Sequence, residues 1–527
     1  MIFRRILLIS LVIFLSGNIS AQKAYWVFFK DKNGTTFNPY TYFATEAIER
    51  RTKLGISLYD SSDFPVNENY ISEVGKLVQT VGYPTRWFNG VGVIANDEQI
   101  KQVSLLSFVK NVKEQQSINW LASSAKNETD TSNDDVVGVP DPDVQVNSMA
   151  GKMFAEHQLA GKGIVIAIID VGFHGVDVHP AFDRLRFNNG IRATFDFSKD
   201  RADVYGPKSD HGTSVLSCIA GIKNEKNMGL APDATFLLAK IATPWTNQPR
   251  GEEYFIAALE WSDKQGAMLV NCSDGPDYES YFPEQMNGEV SLMSRAANKA
   301  ASKGILVISA AGNEGESSSP VLLPPADADS VLSVTALNVN GYIASYSSIG
   351  PTPDYKHKPD VSAPGTVVVA NGYNSFVEDE GTSFSSPLIV GFAACVIQKY
   401  PDLSPIQLMD TLHKCASLYP YFDYAHGYGI PRADYFFDST QVNSATFIIS
   451  RIDNYAEIKI DEKFKPDCSS SVYPKLYYNL EDEKGRIYKY YVKEINTGAK
   501  IRIPEADLRQ GVKINVFYQG YYAALQL

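Results

Sequence analysis

Hydrophobic positions change their spacing twice along this chain, and the changes divide it into blocks. From residue 22 to about 118 the segments are short and mixed. AYWVFF (24–29) reads as a strand, ATEAIERRTKLG (44–55) and ENYISEVGKLVQTVG (68–82) as helices, and RWFNGVGVIA (86–95) as a strand. A helix over DEQIKQVSLLS and a last strand FVKNVKEQ complete a small α+β module. The stretch 122–146, ASSAKNETDTSNDDVVGVPDPDVQV, is polar, acidic and broken by two prolines, as an exposed and cleavable linker is.

From about residue 150 uninterrupted apolar runs take over: GIVIAII (163–169), TFLLAKI (235–241), AMLVN (267–271) and GILVISA (304–310). Strands covered on both faces have this texture, so the block reads as an α/β layered domain around a mostly parallel sheet. Helical spacing separates the strands. After His211, Val215, Cys218, Ile219 and Ile222 fall on one face. A second helix start has Ser404 as N-cap, Pro405 at the first position, Gln407 closing a capping box, and Leu403 with Leu408 as a staple. Beyond about 440, period-two segments such as ATFIIS, AEIKI, KLYYNL, RIYKYYV and VKINVFYQGYY predict an antiparallel β-sandwich.

At 527 residues the chain is long enough for two or three domains. A net charge of −12 with no dense Lys/Arg cluster argues against a nucleic-acid partner. The N-terminus carries Arg4 and Arg5, an apolar run from Ile6 to Leu15, then the small residues Ser20 and Ala21, which is the build of a secretory signal peptide. No cysteine follows it, which argues against a lipid anchor. Later apolar stretches fall short of the roughly 18 residues a membrane helix needs, so the mature chain is expected to have no transmembrane segment. The expected address is outside the inner membrane: extracellular, periplasmic or cell-surface. Cys218, Cys272, Cys395, Cys415 and Cys468 show no CxxC spacing, so neither a zinc site nor an essential disulfide is expected, with a Cys395–Cys415 pair left open.

Chemistry is expected above the C-terminal ends of the parallel strands. Asp170 ends the first of them, although strand-end Asp residues also serve turns, metals and ribose. His211 opens a helix in DHGTSVLSCIAG (210–221); the other six histidines lack such a setting, and His174 with His179 lack a third metal ligand. Ser383, in GTSFSSP (381–387), opens another helix, where free N–H groups and the positive dipole end favour negative charge. Taken alone, the stretch reads more readily as a helix-opening turn than as a nucleophile. A serine needs a base, and an imidazole held by a carboxylate is the usual one. Asn313, in ISAAGNEG (308–315), lies beyond another strand end, where its amide could join the Ser383 N–H in stabilising an oxyanion.

Together these motifs resemble the subtilases, the subtilisin-like serine proteases, in the order Asp, His, Ser. IIDVGF resembles the family's Asp motif, HGTSVLSCIAG its His motif, NCSDG (271–275) its substrate-cleft strand, AAGNEG its oxyanion motif and GTSFSSP its Ser motif. The resemblance implies a subtilisin-like three-layer α/β fold. It further implies Asp170, His211 and Ser383 as catalytic residues, with Asn313 and Ser383 at the oxyanion. Substrate would pair with the backbone of Cys272, Ser273, Asp274, Gly275, Ser309, Ala310, Ala311 and Gly312. The chain departs from the pattern at Val171, where Ser or Thr is usual, at Phe384-Ser385 for Met-Ala, and at Asp274, where a small apolar residue is commoner and the wall of the cleft is expected to change.

The N-terminal module resembles the propeptide of exported subtilases, of Bacteroidetes-like texture, implying an intramolecular chaperone and inhibitor. The expected organisation is signal peptide 1–21, propeptide-like domain 22–118, linker with the maturation site 119–147, catalytic domain 148–438 and β domain 439–527. The expected function is a secreted serine endopeptidase made as an inactive precursor and acting on peptides or proteins. No cofactor is required; calcium is compatible with the family, but no ligand set for it maps onto the sequence. Two rivals are a peptide ligase or transpeptidase on the same scaffold and a non-catalytic binding or adhesion protein.

Overall fold

The computed structural model describes residues 21–121, 141–242, 247–276, 280–372, 374–438, 444–465, 474–496 and 500–527. The signal-peptide run at 1–20, most of the 122–146 linker and Cys468 lie outside the described residues.

A seven-stranded sheet organises the central block, in the order Val361–Pro364, Val331–Leu337, Leu306–Ala310, Leu269–Cys272, Val165–Asp170, Thr235–Lys240, Ile191–Asp196. Every pairing in it is parallel. The Val165–Asp170 strand shows why its sequence is wholly apolar. Ile166 and Ile168 enter the core beneath the His211–Ala220 and Thr382–Lys399 helices, whereas Val165, Ala167 and Ile169 enter the core beneath Gly251–Lys264 and Leu292–Ser302. Chain order reverses around this first strand, with the next two strands on one side and the remaining four on the other. Asp170 therefore ends at the switch point, where α/β sheets open a crevice.

The N-terminal block is a four-stranded antiparallel sheet, in the order Thr80–Thr85, Gly90–Ala95, Lys23–Phe29, Val109–Glu114, with helices Thr45–Lys53, Glu68–Gly75 and Asp97–Ser104. The helix expected over 68–82 stops at Gly75, because the β-branched run around Thr80 and Val81 pairs with Ile94 and Val93 instead. Two parts of the stretch read as linker are ordered elements: Ile118–Leu121 is a strand and Asp143–Asn147 a short helix. At the other end, two antiparallel sheets of three and four strands enclose one core, as expected of a sandwich. The Ser404 capping box forms. Cys218, Cys272, Cys395 and Cys415 are all buried and free, so the pairing left open for Cys395 and Cys415 is not made.

The N-terminal block docks on the acidic face of the Gly251–Lys264 helix. Trp26 Nε1 donates to Glu252 at 2.9 Å, Tyr83 N–H to Glu253 at 2.5 Å, and Thr85 Oγ1 to Glu260 at 2.6 Å. The N–H groups of Arg86 and Trp87 also donate to Glu260, and Arg50 and Arg51 both reach Asp263. Burial pushes the Glu260 carboxyl from 4.5 up to about 6, although the Thr85 hydroxyl and the two N–H groups pull it part of the way back. A carboxyl with a higher pKa docked than free supports docking fully below about 4.5 and loses that support as pH rises through about 6. Amide exchange at Arg86 and Trp87, corrected for intrinsic chemistry, is therefore expected to accelerate on the order of tenfold across that window. Glu260→Gln should flatten the dependence; an equally steep variant would refute it.

Candidate active site

Asp170, His211, Ser383 and Asn313 meet at the C-terminal end of the sheet, and each is held there by local chemistry. Asp170 is fully buried and accepts the Val171 N–H at 2.7 Å. His211 opens its helix, whose next residue must be glycine: a Cβ on Gly212 would lie 2.6 Å from the Gly172 carbonyl oxygen. That close approach, with the Gly212 N–H donating to Gly172 O at 2.8 Å, presses the helix start onto the Asp170 loop. His211 Nδ1 then lies 3.0 and 3.1 Å from the two Asp170 oxygens.

Ser383 is the second residue of the Thr382–Lys399 helix. Pro387 lies inside this helix and has no N–H to return to the Ser383 carbonyl four residues earlier. Ser273 Oγ fills the gap by donating to Ser383 O at 2.9 Å, and is itself held by Asn271 Nδ2 at 2.7 Å, while Ser386 Oγ donates to Asn271 Oδ1 at 3.0 Å. This polar support was missed in the sequence, where Pro387 was its one visible signal. Ser383 Oγ donates to Ser273 O at 2.9 Å, and His211 Nε2 is buried with no hydrogen-bond partner among the described residues. The serine-to-imidazole hydrogen bond is thus not made in this state. Phe384 packs its ring 5.9 Å from that of His211, so the Phe for Met departure is felt at the imidazole.

Asn313 is oriented by Thr382, whose N–H and Oγ1 both donate to its Oδ1, at 3.1 and 2.9 Å. Its NH₂ is thereby left for other acceptors. Gly312 has φ +113°, and a Cβ there would lie 2.7 Å from Ser348 Oγ, so the turn that places Asn313 requires glycine. Gly275, Ala310, Gly312, Asn313, Glu314 and Leu323 surround a pocket of about 30 Å³ beside it. A wider groove of about 580 Å³, lined by Asp177, Arg186, Arg192 and Tyr205, runs along the edge strand and holds none of these residues.

The expected substrate-binding residues divide. Gly275–Pro276 pairs antiparallel with Leu121 and Trp120, and Asn247–Gln248 pairs with Asn119 and Ile118 from the other side. The cleft therefore already contains a strand of the chain itself, Ile118–Leu121, as the middle of three. Trp120 is fully buried there, and Gly251 makes room for it, since a Cβ would meet its Nε1 at 2.8 Å. Ser273, Ala310 and Gly312 border the pocket, while the side chains of Cys272, Ser309 and Ala311 are buried within the sheet layer, leaving only their backbone for a substrate. Asp274 corrects the expectation of an altered cleft wall. Its carboxyl turns inward, away from substrate, to 3.6 Å from His211 Nδ1.

Burial opposes a charge on His211, but the carboxylate of Asp170 and, whenever it is ionised, that of Asp274 outweigh it and raise the imidazole's proton affinity. Asp274 is held well above the usual carboxylate range, first by burial and then by the charge of Asp170. Among the described residues, Asp170, His211 and Asp274 are the one group of three His, Cys, Asp or Glu side chains close enough to surround an ion. Two carboxyls and a ring nitrogen do not fit calcium, which takes six to eight oxygens. His174 and His179 instead bond backbone, to Tyr205 O and Ser375 O.

Comparison with known proteins places this geometry. The subtilase family, Peptidase_S8, matches residues 161–429, just over half of the chain, and the peptidase S8 propeptide domain of Bacteroidota matches residues 24–133. Subtilisin DY of Bacillus licheniformis is 32% identical over 212 residues, 39% of this chain and 70% of that one. Subtilisin BL of Lederbergia lenta is 31% identical over 263 residues, 49% of this chain and 85% of that one. Serine protease AprX of Bacillus subtilis (strain 168) is 28% identical over 284 residues, and the match spans 48% of this chain and only 61% of that relative. The crystal structure of fervidolysin from Fervidobacterium pennivorans, a keratinolytic enzyme related to subtilisin, matches with a TM-score of 0.55 at 18% identity, over 95% of this chain and 71% of that one, and speaks for the fold. The chain therefore belongs to the subtilase family, as a subtilisin-like serine endopeptidase that carries an N-terminal S8 propeptide domain.

Proposed function

We propose that the protein is an exported precursor of a serine endopeptidase, with Ser383 as nucleophile, His211 as its base and Asp170 as the carboxylate that orients and stabilises the imidazolium. Ser383 Oγ attacks the peptide carbonyl, and His211 Nε2 takes its proton and passes it to the leaving amine. Asn313 Nδ2 and the Ser383 N–H stabilise the oxyanion. The observation that carries this reading is the Asp170–His211 hydrogen bond, with the imidazole's Nε2 unpartnered at the sheet end where the Ser383 helix starts. The chemistry needs no cofactor.

Ile118–Leu121 acts in this reading as the inhibitory strand of the precursor, supported by its pairing on both sides. The bond cut in maturation then lies beyond Leu121, in the acidic 122–146 stretch. Export rests on the N-terminal sequence; among the described residues no helix is long and apolar enough to cross a membrane. Expression with residues 1–21 should yield a chain that begins near residue 22, and N-terminal sequencing that still finds Met1 would oppose it. For the oxyanion role, Asn313→Ala should lower kcat about 10²- to 10³-fold with KM nearly constant. A loss confined to KM would contradict it.

A further inference from the structure

Asp274 is the buried group that the mechanism above does not use. Its side chain is fully excluded from solvent, and among the described residues neither carboxyl oxygen makes a hydrogen bond of normal geometry, although the Val171 N–H, which donates to Asp170, also favours the ionised form of Asp274. It stands 3.6 Å from His211 Nδ1, and oxygens of Asp170 and Asp274 come within 4.8 Å of each other and of the ring nitrogen. Among the described residues Asp170 in turn accepts from the Val171 N–H and the His211 ring alone, although a carboxylate offers about four acceptor sites. The side chain of Val171 is buried and apolar and supplies no further donor.

We propose that Asp274 is a positioning residue, a neutral carboxylic acid behind His211 whose O–H faces Asp170 and supplies the donor that Val171 lacks. The inference rests on the reading of Asp170 and His211 as a catalytic pair. Three groups share two protons here, and three arrangements keep the cluster at one negative charge; the one with a neutral Asp170 beside an ionised Asp274 is disfavoured because it weakens the hydrogen bond that Asp170 accepts from the Val171 N–H. With both carboxylates ionised the imidazole is protonated and cannot accept the Ser383 proton. With the proton on Asp274 the imidazole is a free base and Asp170 alone carries charge. Two carboxylates this close and this buried do not both ionise.

Other charged groups also face the cluster. Asp379, on the Phe376–Glu380 strand, adds negative charge near His211 and by itself raises the imidazole's proton affinity, so the neutral Asp274 rests on its burial and on the charge of Asp170. Lys240, at the end of the adjacent strand, acts on Asp170. Cys272, on the strand leading to Asp274, stays a neutral thiol because burial raises its pKa.

The test uses the intact chain carrying Ser383→Ala, which does not depend on turnover. Difference infrared spectroscopy at neutral pH between this chain and the same chain with Asp274→Asn should show the C=O stretch of a buried protonated carboxyl that the substitution removes. No such band overturns the proposal, whatever Ser383 does. In the active chain, Asp274→Ala should lower kcat about 10- to 100-fold with KM little changed, and Asp274→Asn, which keeps a neutral donor, should restore most of it. The acid limb of kcat/KM should have the same midpoint in Asp274→Asn as in the wild type. A midpoint lowered by about one unit or more would mean that Asp274 had been charged, and wild-type kcat in Asp274→Ala would remove its positioning role. If the alanine variant fails to fold, the infrared band and the asparagine profile decide.

Discussion

Ser383→Ala should lower peptide hydrolysis by about four to six orders of magnitude while leaving the fold intact. The size of the loss follows from the role: without Oγ there is no acyl-enzyme, and His211 has nothing to deprotonate. The small structural cost follows from the contacts. The Ser383 hydroxyl donates to Ser273 O, whereas the helix start is held through the Ser383 carbonyl and Ser273 Oγ, which the substitution keeps. Thermal unfolding should shift by about 1 kcal/mol or less. His211→Ala should lose comparable activity, but it also strips the imidazole from two buried carboxyls, so Ser383→Ala is the cleaner variant. Wild-type turnover in Ser383→Ala would end the assignment.

The second large effect is expected at the propeptide interface. Arg50 and Arg51, on the Thr45–Lys53 helix, are nearly fully buried and both bond to Asp263 on the Gly251–Lys264 helix. Arg51 keeps a second carboxylate, Asp63, at 2.7 Å, and Asp63 is shared with Lys303 at 2.9 Å. Among the described residues Arg50 pairs with no second carboxylate, and its remaining hydrogen bonds go to the carbonyls of Lys303 and Ala267. Asp263→Ala therefore leaves a buried guanidinium without its counter-charge, which typically costs about 3–5 kcal/mol. Within the uncut Ser383→Ala chain, the N-terminal block should open to added trypsin about two to three orders of magnitude more readily. Equal lifetimes with and without Asp263 would show that apolar packing alone holds the block. Asp263→Asn should fall between the two.

The parallel sheet was legible because burial on both faces leaves an uninterrupted apolar run, and Val165–Asp170 is such a run. The constellation at its end was legible because Asp170, His211, Asn313 and Ser383 each sit where a strand or helix terminates. What the sequence concealed depends on contacts across the fold. The cleft strand Ile118–Leu121 is four residues long and has no pattern of its own; only its pairing with two-residue strands on both sides makes it one. Glu252, Glu253, Glu260 and Asp263 are of residue types that ordinarily face solvent, and are buried only because a distant block packs on them. At Asp274 the residue type was noticed, but whether it faced the cleft or the triad depended on a backbone direction that spacing does not encode.

This chain is expected to cut itself through Ser383, and the intact mass of residues 22–527, expressed as wild type and as Ser383→Ala, is the test. The wild type should lose its N-terminal block by a cut beyond Leu121, within the acidic stretch, and Ser383→Ala should keep its full mass. Identical masses for the two chains, both cut or both whole, would contradict it.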